Sequence, residues 1–171
     1  MSKIFSKIWQ TGTLTEAPPA AEEIETLGKE VKRAIEQRLS RSLAIRQVDA
    51  GSCNACELEI HALVNPYYDI SRFGIHFVAS PRHADLLLVT GPVSRHMETA
   101  LRRTWRAMAN PRFVIASGDC ACNGGEFSGN YATCGGVSRV IPVDLHLTGC
   151  PPTPNDLMRG ILALMRKEQP Q

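Results

Sequence analysis

An α/β domain with a mostly parallel sheet is the fold class this sequence predicts, and three observations predict it. Short apolar runs alternate with helical stretches, Gly and Pro punctuate the chain between them, and the run Leu86-Leu87-Leu88-Val89 is apolar without a break. An unbroken apolar run suits a strand covered on both faces, which is the situation of a central strand in a parallel sheet. The 171 residues, 43% hydrophobic and 21% charged, describe one globular domain large enough to bury a core.

Residues 1–21 form an N-terminal arm. Lys3, Ile4, Phe5, Lys7, Ile8 and Trp9 make a short basic and apolar segment there, ahead of a link at Pro18 and Pro19. Two readings of the arm stay open: a frayed terminus, or a segment whose Phe5, Ile8 and Trp9 dock on a partner or at a membrane surface. Residues 22–171 read as a single α/β domain. Its first element is an amphipathic helix over 22–40, because Ile24, Leu27, Val31, Ala34, Ile35 and Leu39 recur at helical spacing with Glu, Lys and Arg between them. Strands are expected at 43–48, 75–78, 86–89, 113–116 and 143–147. Helices are expected at 94–108, with Met97, Leu101, Trp105 and Met108 on one side, and at 154–167, with Leu157, Ile161, Leu164 and Met165. Core packing accounts for both stripes. The chain shows no internal repeat and no low-complexity tract.

Composition excludes several function classes. A formal net charge of +2 without a dense basic face gives no grip on phosphates, so no nucleic-acid partner is expected. No stretch approaches the roughly 20 apolar residues of a membrane-spanning helix, and the start lacks the apolar core of a secretory signal, so a cytoplasmic location is expected. In a reducing compartment six cysteines point to metal binding or reactivity before disulfides.

The cysteines fall where expected strands end. Cys53 and Cys56 form a CxxC after the first strand, Cys120 follows the strand ending at 116, and Cys150 follows the strand ending at 147. Ligands of an open α/β sheet bind outside the carboxyl ends of its strands, so three loops can bring four thiols to one place. Thiolates are soft donors that select iron–sulfur clusters or zinc. Structural zinc favours two compact pairs, and only one pair exists here, so a wider cluster suits the dispersed ligands better. Gly118, Gly124, Gly125, Gly129, Gly135, Gly136 and Gly149 crowd these loops. They are either plain turn residues or places where backbone N–H groups approach inorganic sulfide. Pro151 and Pro152 stiffen the chain directly after Cys150.

Spacing alone leaves Cys122 as an alternative to Cys120, while Cys134 reads as a small buried side chain. Glu57 and Glu59 stand at an expected helix start, where unpaired N–H groups and the helix dipole favour carboxylates. Arg72, Arg82, His83 and Arg139 fall near expected loops, as countercharges to a cluster or as solvated surface, and His61 reads as a packed or surface histidine.

The strings GSCNACELEI (51–60), SPRHADLLLVTGPV (80–93), SGDCACNGG (117–125) and VIPVDLHLTGCPPTP (140–154) carry a resemblance. They resemble the family that contains the cluster-N2 subunit of respiratory complex I and the small subunit of group 4, energy-converting nickel–iron hydrogenases. Complex I members have adjacent cysteines at the first site, whereas CxxC at Cys53 and Cys56 is similar to the hydrogenase branch. The Pro-Arg-His-Ala-Asp run at 81–85 is similar to the formate hydrogenlyase type. That type carries a long tail after the last helix, where this chain stops at Gln171, so carbon-monoxide-linked and ferredoxin-linked relatives stay open.

The resemblance implies a flavodoxin-like three-layer domain with a helical N-terminal extension and one 4Fe-4S cluster at the carboxyl ends of the strands. In the family the third ligand stands four residues before a Gly-Gly pair and the fourth opens Cys-Pro-Pro. The implied ligands are therefore Cys53, Cys56, Cys120 and Cys150, with Cys122 and Cys134 outside the set. Glu59 matches a family carboxylate near the cluster and the large subunit, which implies proton handling or an interface role. The implied protein is the electron-transfer small subunit of a membrane-associated nickel–iron hydrogenase, an oxidoreductase subunit with no complete active site of its own. It would relay electrons between a ferredoxin-like two-cluster subunit and the nickel–iron site of a large subunit. Integral membrane subunits would hold the complex on the cytoplasmic face of the inner membrane. The alternative is a complex I-like NADH or ferredoxin–quinone oxidoreductase subunit carrying the cluster next to the quinone site. A zinc-stabilised interaction module is the rival from another class, and a free-standing enzyme is disfavoured by the lack of a nucleophile–base constellation, a Walker loop or a GxGxxG helix start.

Overall fold

The computed structural model describes residues 2–12 and 20–167. Five strands, β1 (Leu43–Asp49), β2 (Ile75–Phe77), β3 (Leu86–Thr90), β4 (Phe113–Ser117) and β5 (Leu145–Leu147), pair in the order β2-β1-β3-β4-β5. Every one of these pairings is parallel. The unbroken apolar run becomes β3, the middle strand, and all its residues are buried. β4 beside it is buried throughout as well.

Alternation along the strands sorts the core into two layers. Leu43, Ile45, Leu86, Leu88, Phe113 and Ile115 face one cluster, which α2 (Ala21–Leu39), α3 (Ala55–Ala62) and α6 (Pro154–Arg166) complete. Val48, Leu87, Val89, Val114 and Ala116 face the other, completed by α4 (Arg95–Ala107), α5 (Asp119–Asn123) and the turn at Val137–Arg139. Helices on both faces of a parallel sheet in this strand order make a flavodoxin-like three-layer fold.

α2 and α6 run side by side in the same direction, with Glu23 paired to Arg159 at 2.7 Å and Glu30 to Arg166 at 2.8 Å. These exposed pairs contribute at most about 1 kcal/mol each. The seam of Val31, Ile35, Leu157, Ile161 and Leu164 beneath them is almost fully buried. At about 1.5–3 kcal/mol per buried large side chain, that seam dominates the contact. Gly28, an unfavourable residue in mid-helix, is required by close approach: a Cβ there would stand 2.2 Å from the Phe73 ring. The Arg38 guanidinium donates to the carbonyls of Leu164 and Met165 at 2.8 and 3.1 Å, satisfying open acceptors at the end of α6.

One strand boundary is corrected and two open readings are narrowed. β5 starts at Leu145 instead of 143, because Asp144 spends its carboxylate on the Val114 N–H at 2.7 Å while Val143 packs against the second core layer. The start of the arm is a helix, α1 (Ser2–Thr11), in keeping with the expected helical N-terminal extension, whereas the link at Pro18 and Pro19 lies outside the described residues. Arg72, Arg82 and His83 sit in the turns Ile70–Phe73 and Pro81–His83, ahead of β2 and β3. They are at the edge where strands begin, and the cysteine loops are at the edge where strands end, about 15 Å away across a five-residue strand. Arg72 instead pairs with Glu25 at 3.0 Å and covers the Phe73 ring.

Candidate metal centre

Each cysteine loop is shaped by its local sequence. After β1, the Asp49 carboxylate accepts the N–H groups of Gly51 and Ser52 at 2.7 and 2.8 Å. Ser52 Oγ accepts the N–H of Asn54, which turns left-handed at φ +74°. This Asx turn presents Cys53 exposed and sets Cys56, half-buried, in the first turn of α3. After β4, Gly118 turns at φ +90° and Cys120 enters the first turn of α5. After β5, Cys150 is exposed ahead of α6, whose start is fixed by a reciprocal cap between Thr153 and Asp156.

The loops are tied together. The Gly118 N–H donates to Leu147 O at 2.8 Å, the Asp119 N–H donates to Gly149 O at 2.9 Å, and the Gly149 N–H returns to the Asp119 carboxylate at 2.9 Å. Gly118 is the point where all three meet. A Cβ there would stand 2.7 Å from Cys56 Sγ and 3.5 Å from Gly149 O, so glycine is demanded both by its positive φ and by the sulfur beside it. Gly125 does the same for the third cysteine, since its Cβ would lie 2.7 Å from Cys120 Sγ.

Electrostatics shows which thiols are neighbours. Burial pushes the Cys56 thiol up to about 12, reinforced by the charges of Glu57, Cys53, Cys120 and Cys150. Burial also raises Cys120, followed by Cys150, Cys53 and Asp119, while the backbone N–H of Glu126 donates to it and opposes the shift. Cys122 behaves differently. Burial raises it to about 11, then the charge of Asp119, with no contribution from another cysteine. Its thiol lies 3.6 and 3.5 Å from the carbonyls of Ala116 and Leu147 and packs against the second core layer. Cys134 donates to Glu98 Oε2 at 3.4 Å, far from a wholly buried hydrophobe but still packed against that layer. Among the described residues no group of three or more His, Cys, Asp or Glu is placed to hold a single metal ion.

Two acidic residues exchange their expected prominence. Glu59 is partly buried on α3, and the Tyr68 hydroxyl is raised first by burial, then by Tyr67 and by the charge of Glu59. Glu57, read from the sequence as a helix-start carboxylate, is 5% exposed. The Thr90 hydroxyl donates to its Oε1, and its Oε2 is buried without a partner. The helical period held the signal: Glu57 lies one turn before the fully buried Ile60 and shares its inward face. His61 is exposed, and Arg139 stays on the cysteine side, packed over Gly135 with Nη1 within 3.3 Å of where a Cβ would stand.

Among known proteins, a sequence profile of the NADH ubiquinone oxidoreductase 20 Kd subunit family matches residues 53–164. Formate hydrogenlyase subunit 7 of Escherichia coli is 42% identical over 140 residues, covering 81% of this chain. An NADH-quinone oxidoreductase subunit of Mycolicibacterium vanbaalenii is 49% identical over 115 residues, or 67% of this chain. The chain spans only 55% and 62% of those two relatives. A solved structure of the membrane-bound sulfane sulfur reductase, an archaeal respiratory membrane complex, contains a chain with a TM-score of 0.66 and 34% identity. That match covers 80% of this chain and 74% of the other.

Proposed function

Because this chain belongs to the NADH ubiquinone oxidoreductase 20 Kd subunit family, as an oxidoreductase subunit of the hydrogenase and complex I type, we propose that it holds one 4Fe-4S cluster on Cys53, Cys56, Cys120 and Cys150 and relays electrons through it. The observation that carries the proposal is Gly118, at which the loops of all three strand ends pack around the Cys56 sulfur.

The residues fit such a group. A cube offers a separate iron to each thiolate, so its four ligands need not converge on one point as the ligands of a single zinc ion must. That suits three loops whose thiols lie close enough for the charges of Cys53, Cys120 and Cys150 to act on Cys56. Four thiolates this near repel one another, and a cationic iron core is what would hold them all ionised. Cys122, occupied with two carbonyls, and Cys134, occupied with Glu98, stay outside the proposed set.

When bound, the cluster supplies a centre that takes up and releases an electron. The protein's part is to set the surroundings of that centre. Cys56 and Cys120 present half-buried sulfurs, the Glu126 N–H donates to Cys120, and the glycines at 118 and 125 let backbone close over the sulfur atoms. The exposed Cys53 and Cys150 mark the side that faces a partner. The CxxC pair favours a nickel–iron hydrogenase large subunit as that partner, with a ferredoxin-like two-cluster subunit as the other electron carrier. Integral membrane subunits would then hold this chain on the cytoplasmic face of the inner membrane. Glu59, partly buried on the helix that starts with the CxxC, is the proton-handling or interface carboxylate of this reading.

The second reading, a complex I-like quinone oxidoreductase subunit, is favoured by the 49% identity to an NADH-quinone oxidoreductase subunit. Anaerobic affinity purification with identification of the co-purifying subunits separates the two: a large subunit with paired CxxC motifs supports hydrogenase, and one lacking them supports the alternative. In this chain separated anaerobically from the co-purifying subunits, about four irons per chain and a paramagnetic signal on reduction are expected. Cys150→Ser should abolish the signal and Cys134→Ala should keep it. A full signal in the Cys150 variant defeats the ligand set.

A further inference from the structure

We propose that α1 is a membrane-surface anchor whose apolar stripe lies in the interface of an anionic phospholipid bilayer. At about 100° per residue, Ile4, Phe5, Ile8 and Trp9 share an arc of about 140°, and Ser6, Lys7, Gln10 and Thr11 fall outside it. The four apolar side chains are 66%, 69%, 61% and 89% exposed, a continuous uncovered strip on a helix that takes part in none of the substantial contacts between elements. Such a strip on a surface helix marks an interaction site.

Charge decides what covers the strip. Residues 2–12 contain Lys3 and Lys7 and no Asp or Glu, so the helix is purely cationic around an aromatic and branched apolar face. That pairing suits anionic headgroups beside acyl chains, with Trp9 at the depth where an indole is half in hydrocarbon and half in water. At about 15 Å the helix is half the thickness of the hydrocarbon core, so it lies in the plane of the interface. No helix among the described residues is long and apolar enough to cross a membrane, and α1 gives the chain a contact of its own with the bilayer.

The test is flotation of the full-length chain with vesicles of phosphatidylcholine alone or mixed with phosphatidylglycerol. Two lysines near an anionic surface predict partition roughly thirtyfold stronger onto the mixed vesicles, falling as salt is raised. The double variant Phe5→Glu, Trp9→Glu should lose binding to both while its melting temperature stays at the parent value, because α1 lies outside the core. Equal partition of variant and parent overturns the proposal, as does failure of the parent to float with the mixed vesicles. A concentration-dependent dimer that the double variant abolishes, without vesicle binding by the parent, would assign the strip to a second copy of the chain and overturn it equally.

Discussion

Gly118→Ala is the sharpest test of how the three cysteine loops fit together. The substitution acts twice. At φ +90° and ψ 156°, a region essentially reserved for glycine, an alanine is strained by about 1–3 kcal/mol, and its Cβ would sit 2.7 Å from Cys56 Sγ, where something must shift. Overpacking of this kind costs a further roughly 1–3 kcal/mol. Gly129 separates the two effects, because it has φ +77° and nothing within 4 Å of its would-be Cβ. Gly129→Ala should therefore show a positive-φ strain of about 1–2 kcal/mol with no overpacking. At about 2–4 °C per kcal/mol for a chain of this size, Gly118→Ala should lower the melting temperature by about 4–24 °C and Gly129→Ala by about 2–8 °C. Calorimetry or circular dichroism of the two variants under one set of conditions measures the difference. Iron content read alongside should fall in Gly118→Ala and hold in Gly129→Ala. Equal melting temperatures and equal iron in the two variants would refute the idea that the Cys56 sulfur packs against this backbone.

Other consequences are equally concrete. Thr90→Val keeps shape but removes the hydroxyl that serves Glu57, leaving both oxygens of a buried carboxylate without a donor. A loss of about 1–3 kcal/mol in denaturant unfolding is expected, and an unchanged midpoint would show that Glu57 has another partner. Glu98 is held below 4.5 by its hydrogen bond from Arg102, then by that from Cys134. A depressed carboxylate contributes stability that is present above 4.5 and lost as pH falls below it. Melting temperatures followed down through that range should fall more gently in Glu98→Gln than in the parent. Parallel curves would remove Glu98 from the account.

Hydrophobic order along the chain already specifies most of the fold. The unbroken run at 86–89 demands a strand covered on both sides, and the recurrence of Ile24, Val31 and Ile35 demands a helix that buries one face. These are local signals, because periodicity is a property of neighbours in sequence. The placement of cysteines after strand ends was legible for the same reason, once the strands were read as parallel. Strand edges were less so: Asp144 trims β5 through a bond to Val114, a partner thirty residues away.

Amino-acid order by itself determined the fold class, the two helical coats and the three loops that bear the cysteines. Tertiary structure alone decided which side chains on those loops look at one another. Cys120 and Cys122 are two residues apart and chemically identical, yet one senses Cys53 and Cys150 while the other turns to the carbonyls of Ala116 and Leu147. Glu57 and Glu59 divide in the same way, one buried against Thr90 and one left partly exposed. Arg72, Arg82 and His83 stand at the opposite edge of the sheet because they directly precede β2 and β3, and parallel pairing puts every strand start on one edge and every strand end on the other.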